Sequence, residues 1–487
     1  MKSASHPASR RDVSRRNTGA LRASVVHSSA AEAAQSGTGV DDDSSVTDSG
    51  TAPPSVKGQR LTAIGRLLLI LAAPVAALNP LLPHVGPVSS FTAYAVILFV
   101  YGFLHLRRRP PVGLRRVIVI FCLPVLVISL VTLMTNFGAP YIFGNSVVVS
   151  GGILIVLGMV SLPATKETIR AVLAGWLLAS LSTTALAAIE LSTGLHFGST
   201  YLDANPGATK TGVVTVFFNP NNYAAFLTIT IPLLLAGAAL TTRTWVRRIY
   251  YLAALVSAPI MILTSSRFGL AALILGVSIW IVLRIRSHIG QAIVLAFAVL
   301  GAIFTLVFLQ GRSAGEISGA GAGGGYIIGV LGFQIPVDSS FLARWNLSLN
   351  GLDMLAQTPL GSGPGGYELT AIAQGTSRQT FNMINPHNGA MEFFTEYGVI
   401  LGALAFIVTI ALFIGAIRAN GTSSRSRAER SLATATISVI VMLPLVFVMH
   451  STFINIPHEW IGFATFVVIG IHLSGARPTV KEGEATP

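Results

Sequence analysis

Two arginines and a histidine, Arg267, Arg344 and His387, are of types that can do chemistry together. Guanidinium forks grip phosphate and diphosphate oxygens in two-point contact and stabilise negative charge growing on a departing diphosphate. A neutral imidazole can take a proton from a hydroxyl nucleophile. Each residue also has a plainer reading. Arg267 closes Thr264-Ser265-Ser266-Arg267, a very short turn between two long apolar segments, where a guanidinium can simply snorkel to the membrane surface at a helix end. Arg344 lies in Ser339–Gln357, in which Phe341, Trp345, Leu349 and Leu352 recur at helical spacing and Ser339 or Ser340 can cap the start. That is the pattern of a helix lying on a membrane leaflet, with Arg344 at the edge of the apolar face, where an ordinary lipid phosphate would satisfy it. His387 follows Asn385, a good N-cap, and Pro386, suited to the first helical position. His387 and Asn388 are therefore expected in the first turn of a helix, where the positive end of the dipole disfavours imidazolium and attracts phosphate. The plainer alternative is a structural histidine bonded to a loop carbonyl. Should His387 not be the base, Glu392, Glu396 and Asp338 are the remaining candidates.

Three further patches accompany them. Phe217-Phe218-Asn219-Pro220-Asn221-Asn222-Tyr223 opens an apolar segment, and its asparagines can bind sugar hydroxyls or merely cap a helix. Gly361-Ser362-Gly363-Pro364-Gly365-Gly366-Tyr367 must turn; its amides suit an anion nest, although a plain turn needs no ligand. Gly398 and Gly402 form a small-xxx-small pair that permits close helix contact. The glycine-rich stretch Gly311–Gly332 reads as a flexible insertion without chemistry. No cluster of carboxylates with histidines suggests a bound metal, and no cofactor motif is present, so no metal or cofactor is expected.

The elements that must position these residues are membrane helices. Of 487 residues, 52% are hydrophobic and 10% charged, far below the charge of about 25% in a soluble domain. Apolar runs of about 20 residues recur, which defines an all-α, polytopic membrane protein. Twelve segments are expected near 61–82, 88–106, 115–135, 145–162, 169–191, 221–241, 246–264, 268–284, 289–309, 389–417, 432–450 and 459–474. Residues 1–58, rich in Ser, Ala, Thr and Gly, read as a disordered tail, and Arg10-Arg11 lacks the apolar region of a twin-arginine signal. The remaining divisions are a helical block to 309, a loop over 310–388, a second block over 389–474 and a tail over 475–487. The single cysteine, Cys122, excludes an intramolecular disulfide.

Alternate connections carry 16 basic residues, among them Arg107–Arg109, Lys166, Arg247, Arg284 and Arg425; the others carry five, Lys210, Arg267, Arg312, Arg344 and Arg378. Positive charge marks the cytoplasmic side. Both termini are thus expected in the cytoplasm, with Ser339–His387 facing out. The net charge of +13 is then largely topogenic, and no nucleic-acid partner is needed.

At these motifs the chain resembles the O-antigen ligase and O-antigen polymerase superfamily. The resemblance rests on Phe218-Asn219-Pro220-Asn221-Asn222-Tyr223, on Ser266-Arg267, on the run from Arg344-Trp345 to Pro359-Leu360-Gly361-Ser362-Gly363-Pro364-Gly365, and on His387-Asn388 followed by Gly398. It spans roughly Asn219 to Gly402; the N-terminal half agrees only in hydrophobic layout. Three residues after Gly398, where the family pattern has Gly, Thr or Tyr, stands Leu401, with Gly402 one later. The resemblance implies a metal-independent membrane glycosyltransferase. Such enzymes move a glycan from a polyprenyl-diphosphate carrier to an acceptor, a glycan or a lipid or cell-wall group, at the outer face of the cytoplasmic membrane. By position, Arg267 and Arg344 would hold the diphosphate and His387 would activate the acceptor. Asn388, Asn219, Asn221 and Tyr223 are the accompanying substrate-binding candidates. The competing reading is a transporter such as a lipid-linked-oligosaccharide flippase, which would be expected to carry polar groups near mid-membrane and paired repeats. A structural scaffold would leave the outward arginines without a role.

Overall fold

The computed structural model describes residues 61–86, 88–106, 113–136, 139–197, 212–308, 326–330, 333–337, 339–375, 377–450 and 452–475. The expectations for the 1–58 tail, Arg107–Arg109, Lys210, Arg312, Asp338 and residues 476–487 lie outside them. The chain divides into two units, Met1–Gly58 and Gln59–Pro487, and the second holds every described residue.

Among the described residues there are fourteen α-helices: α1 (Ala63–Ala77), α2 (Ser90–Leu106), α3 (Leu114–Thr135), α4 (Pro140–Ser161), α5 (Lys166–Thr193), α6 (Pro220–Leu240), α7 (Thr244–Leu263), α8 (Arg267–Val282), α9 (His288–Phe308), α10 (Ser339–Gln357), α11 (Gly366–Gln374), α12 (Gly389–Gly421), α13 (Arg427–Met449) and α14 (Pro457–Gly475). Each of the twelve expected apolar segments coincides with one of these. Eight are long and apolar enough to cross a membrane, whereas α1, α2 and α8 are apolar but shorter. The protein is an all-α, multi-pass membrane protein. Two antiparallel hairpins interrupt it, His84–Val85 with Val88–Ser89, and Tyr326–Val330 with Phe333–Val337. The second corrects part of the Gly311–Gly332 reading: Tyr326-Ile327-Ile328-Gly329-Val330, rich in aromatic and β-branched types, pairs as a strand, while 311–325 and 331–332 lie outside the described residues.

Local chemistry sets the helix starts. Thr165, Asn219, Ser266 and Asn388 each cap with a side-chain oxygen, and Ser426 with Glu429 forms a capping box. Pro74, Pro124, Pro232, Pro259 and Pro444 sit inside helices, which neighbouring helices tolerate in a membrane. Burial orders the bundle. In α6, 89% of the apolar window is buried, against 28% in α3 and 17% in α9, so α6 is central and the other two face lipid. Helices α7, α8 and α13 pack around α6, and α12 packs on α13 and carries α10. The close backbone contact expected of small residues occurs between α2 and α4, where a Cβ on Gly102 would stand 2.3 Å from the Gly158 carbonyl oxygen.

Candidate active site

His387 lies just before α12, not within it. The helix begins at Gly389, and Asn388 is its cap: Asn388 Oδ1 accepts from the amides of Ala390 at 3.2 Å and Met391 at 3.3 Å. The expectation of an Asn385 cap is corrected accordingly. Asn385 turns away, and its Nδ2 donates to Glu368 Oε1 at 3.3 Å. His387 adopts the left-handed region at φ 46°, which no helical turn accommodates. Strain of this kind in a non-glycine residue persists where the surroundings impose it, and it clusters at functional sites. The ring is neutral, as expected, but for other reasons. Burial first, then the positive charge of Arg344, push its pKa down to about 3. Nδ1 is buried and finds no hydrogen-bond partner among the described residues, so no loop carbonyl holds that nitrogen.

The two arginines come from neighbouring elements. Helix α10 buries Ala343, Leu347, Asn350, Gly351 and Met354. The stripe of Phe341, Trp345, Leu349 and Leu352 points the other way and stays partly or fully exposed. Arg344 emerges between the two faces. Its Nη1 donates to Ser340 Oγ at 2.6 Å, and its guanidinium carbon lies 5.6 Å from the centroid of the Phe268 ring. Phe268 directly follows Arg267, the first residue of α8, whose start Ser266 caps by accepting from the Gly269 amide at 3.2 Å. Gly269 leaves no space for a side chain, since an added Cβ would meet the Ala224 Cβ at 2.7 Å. The start of α8 therefore seats directly on the first turns of α6. Ser348 joins Arg344 to the residue beside the histidine: it accepts from Asn388 Nδ2 at 3.2 Å and donates to the Arg344 carbonyl at 3.0 Å.

The asparagine patch divides its work. Asn219 caps α6 by accepting from the Asn222 amide at 2.9 Å, and Asn221 is partly buried beside it. Tyr223 is fully buried with its ring stacked on Phe217 at 4.8 Å, so it supports the wall from behind rather than lining a surface. Asn222, the third asparagine of the patch, neither caps with its side chain nor lines a surface: its Oδ1 faces His450 Nδ1 at 3.2 Å.

The glycine turn has a different role from an anion nest for a ligand. Gly361, Gly363 and Gly365 all take positive φ. Their neighbourhood is sewn into α12, where Ser362 and Gly363 amides donate to the carbonyls of Thr395 and Glu396 at 3.0 and 2.8 Å, and the Val399 amide donates to Pro359 at 2.9 Å. The Gly365 amide donates to Glu396 Oε1 at 2.9 Å, so the group this turn receives is a carboxyl of the protein itself. Gly398 sits at φ 80° in a break of α12, and a Cβ there would stand 2.5 Å from the Leu360 carbonyl carbon. The small-xxx-small reading is corrected: Gly398 admits the loop rather than a neighbouring helix, and Gly402 faces Phe394 of its own helix.

Two polar clusters were hidden in the sequence. Glu368, Glu392 and Glu396 are fully buried. Glu392 Oε2 accepts from the amides of Phe453 and Ile454, tying α12 to the α13–α14 connection. One oxygen of each carboxylate, Glu368 Oε2, Glu392 Oε1 and Glu396 Oε2, finds no hydrogen-bond partner among the described residues. Burial raises the pKa of Glu368, on the short helix α11. The second cluster is His450, His458 and Glu459, all buried. It corrects the expectation that no carboxylate–histidine cluster exists; adjacent His458 and Glu459 were legible, but the eight-residue return that brings His450 to them was not.

Residues 252–407 match the family model described as O-antigen ligase. The match covers Arg267, Arg344, His387 and Gly398, and over that stretch it bears out the resemblance to the O-antigen ligase and polymerase superfamily. It supports glycan transfer of the O-antigen ligase kind. A search of curated proteins found no match.

Proposed function

We propose that this protein transfers a glycan from a polyprenyl-diphosphate carrier to an acceptor hydroxyl at the outer face of the cytoplasmic membrane, with both termini inside. The observation that carries the reading is the convergence of Arg344, the Arg267–Phe268 helix start and the neutral, left-handed His387. The acceptor hydroxyl attacks the anomeric carbon of the carried sugar. A glycosidic bond forms, the bond from that carbon to the diphosphate oxygen breaks, and polyprenyl diphosphate leaves. His387 receives the hydroxyl proton, its ring made more basic when the bound diphosphate offsets the charge of Arg344. Arg267 and Arg344 hold the diphosphate and stabilise the charge it gains, so the step itself draws on guanidinium rather than on a metal. Asn388, beside the histidine, is tied to α10 through Ser348, and Asn219 and Asn221 offer amides to sugar hydroxyls. The exposed stripe of Phe341, Trp345, Leu349 and Leu352 suits α10 to the lipid surface from which a polyprenyl carrier is drawn.

The test is reconstitution in vesicles with a polyprenyl-diphosphate-linked oligosaccharide and a glycan or lipid acceptor. Product should form with wild type and be lost with Arg344→Ala. Movement of the lipid-linked oligosaccharide across the bilayer without any new glycosidic bond would overturn the reading in favour of transport.

A further inference from the structure

Where α13 ends and α14 begins, three ligand-type side chains meet inside the protein. His450 Nε2 lies 2.8 Å from Glu459 Oε1, and His458 Nε2 lies 3.6 Å from the same oxygen. Suitable ligand atoms of the three residues all fall within 4.8 Å of one another. The side chains are 0%, 4% and 3% exposed for His450, His458 and Glu459. His458 Nε2 makes no hydrogen bond among the described residues, which is a costly condition for a buried ring nitrogen. Its ring is nonetheless held in place, edge-on to Phe217 at 5.2 Å and to Phe226 at 5.5 Å.

His450 is oriented as a metal ligand would be. Its Nδ1 faces Asn222 Oδ1 at 3.2 Å. With no ion between them, Nε2 shares a hydrogen bond with Glu459 Oε1 at 2.8 Å; donation from Nδ1 to Asn222 would free the Nε2 lone pair for an ion, as in the outer-sphere support of metal-bound imidazoles. Four-coordinate zinc, with ligands near 2.0–2.1 Å, sets ligand atoms roughly 3.4 Å apart. The His458–Glu459 pair already stands at that spacing, and the His450–Glu459 pair reaches it by opening about half an ångström.

We propose that His450, His458 and Glu459 bind one divalent transition-metal ion of the zinc class, clamping the end of α13 to the start of α14 behind the first turn of α6. Two imidazoles with a single carboxylate suit zinc, copper, nickel or iron; magnesium and calcium need mostly oxygen ligands. The ion is structural, enclosed, and distinct from the arginines that hold the donor. Asn222 is its outer support, which gives the asparagine patch a second task besides capping.

The experiment is elemental analysis of full-length protein purified in detergent through a tag without histidine, then exposed to zinc and desalted. Wild type and the exposed-site control His288→Gln should each retain about one zinc per chain. His458→Gln and Glu459→Gln should fall at least tenfold. Replacement by cobalt(II) in wild type should give the visible absorption of a low-symmetry, four- or five-coordinate site, a readout independent of whether the variants fold. Wild type without transition metal, equal zinc in wild type and His458→Gln, or cobalt without that absorption would each overturn the proposal.

Discussion

The guanidinium of Arg344 lies over the ring of Phe268, 5.6 Å from its centroid, and so joins the loop helix α10 to the first turn of the apolar helix α8. That contact ties Arg344 to the residue next to Arg267, 77 positions earlier in the chain. Arg267→Ala and Arg344→Ala should each abolish glycan transfer in vesicles while leaving expression and monodispersity intact. Lysine at either position should restore little, since an ammonium lacks the two-point fork. Phe268→Leu should cost only a few-fold, in line with about 0.5–1 kcal/mol for a cation–π contact near the surface. Full transfer by either alanine variant would remove that arginine from the mechanism.

His387 carries the heaviest prediction. Loss of a general base costs roughly 10²–10⁴-fold in rate, so His387→Ala should lose turnover by that order while donor binding is largely kept. His387→Gln retains hydrogen bonding without proton uptake and should be as slow. A Gln variant at near wild-type rate would make the residue a positioning group and return attention to Glu392, Glu396 and Asp338.

The same residue gives a pH dependence of stability. With a folded pKa near 3 against about 6.5 in the unfolded chain, the unfolded state binds more protons between those values. Stability should therefore fall as pH drops from about 6.5 toward 3 and level off below. Thermal unfolding between pH 7.5 and pH 5 should lower the wild-type midpoint more than that of His387→Gln. Equal slopes in the two proteins would show that the ring is not held neutral by its surroundings.

At the helix break, Gly398→Ala forces a Cβ onto Leu360 in a left-handed backbone. Strain of roughly 1–3 kcal/mol is expected, read as a lower melting temperature together with lost transfer. Asn388→Ala removes the α12 cap and the tie to Ser348, for about 1 kcal/mol of stability, and should slow transfer more than it lowers the midpoint. A fully stable and active Gly398→Ala protein would show that loop and helix are not locked.

Topology can be read directly. Reporter fusions after residues 110, 350 and 425 should report inside, outside and inside. An inside signal at 350 would put the arginines in the wrong compartment for a carried glycan.

Much of this architecture was legible because membranes simplify the code. Long apolar runs must be helices when backbone groups have no other partners, and α3, α6 and α12 followed. The amphipathic stripe of α10 was also legible, although it points outward and the buried face is the more mixed set Ala343, Leu347, Asn350 and Met354. What failed was local. Asn385 and Asn388 both qualify as caps, and only the left-handed turn at His387, flanked by the bonds of Asn385 to Glu368 and of Asn388 to Ser348, decides between them. Gly398 reads as a packing glycine because nothing in its neighbours announces that a loop 38 residues earlier will enter the helix there. The His450–His458–Glu459 meeting depends on a return between helices, which hydrophobic periodicity does not encode.

The seam between Pro359–Gly365 and the break at Gly398 sets where this protein can be exchanged with a relative. The loop's amides end on Thr395 and Glu396 carbonyls and on the Glu396 carboxylate, while the Val399 amide ends on Pro359. Neither side is a self-contained module. A chimera that imports a foreign loop up to His387 but keeps its own α12 would leave both sides of the seam mismatched, however well the catalytic residues align. The transplantable unit runs from Ser339 through Val399, and changes of acceptor specificity engineered by loop grafting should succeed only when the first three turns of α12 travel with the loop.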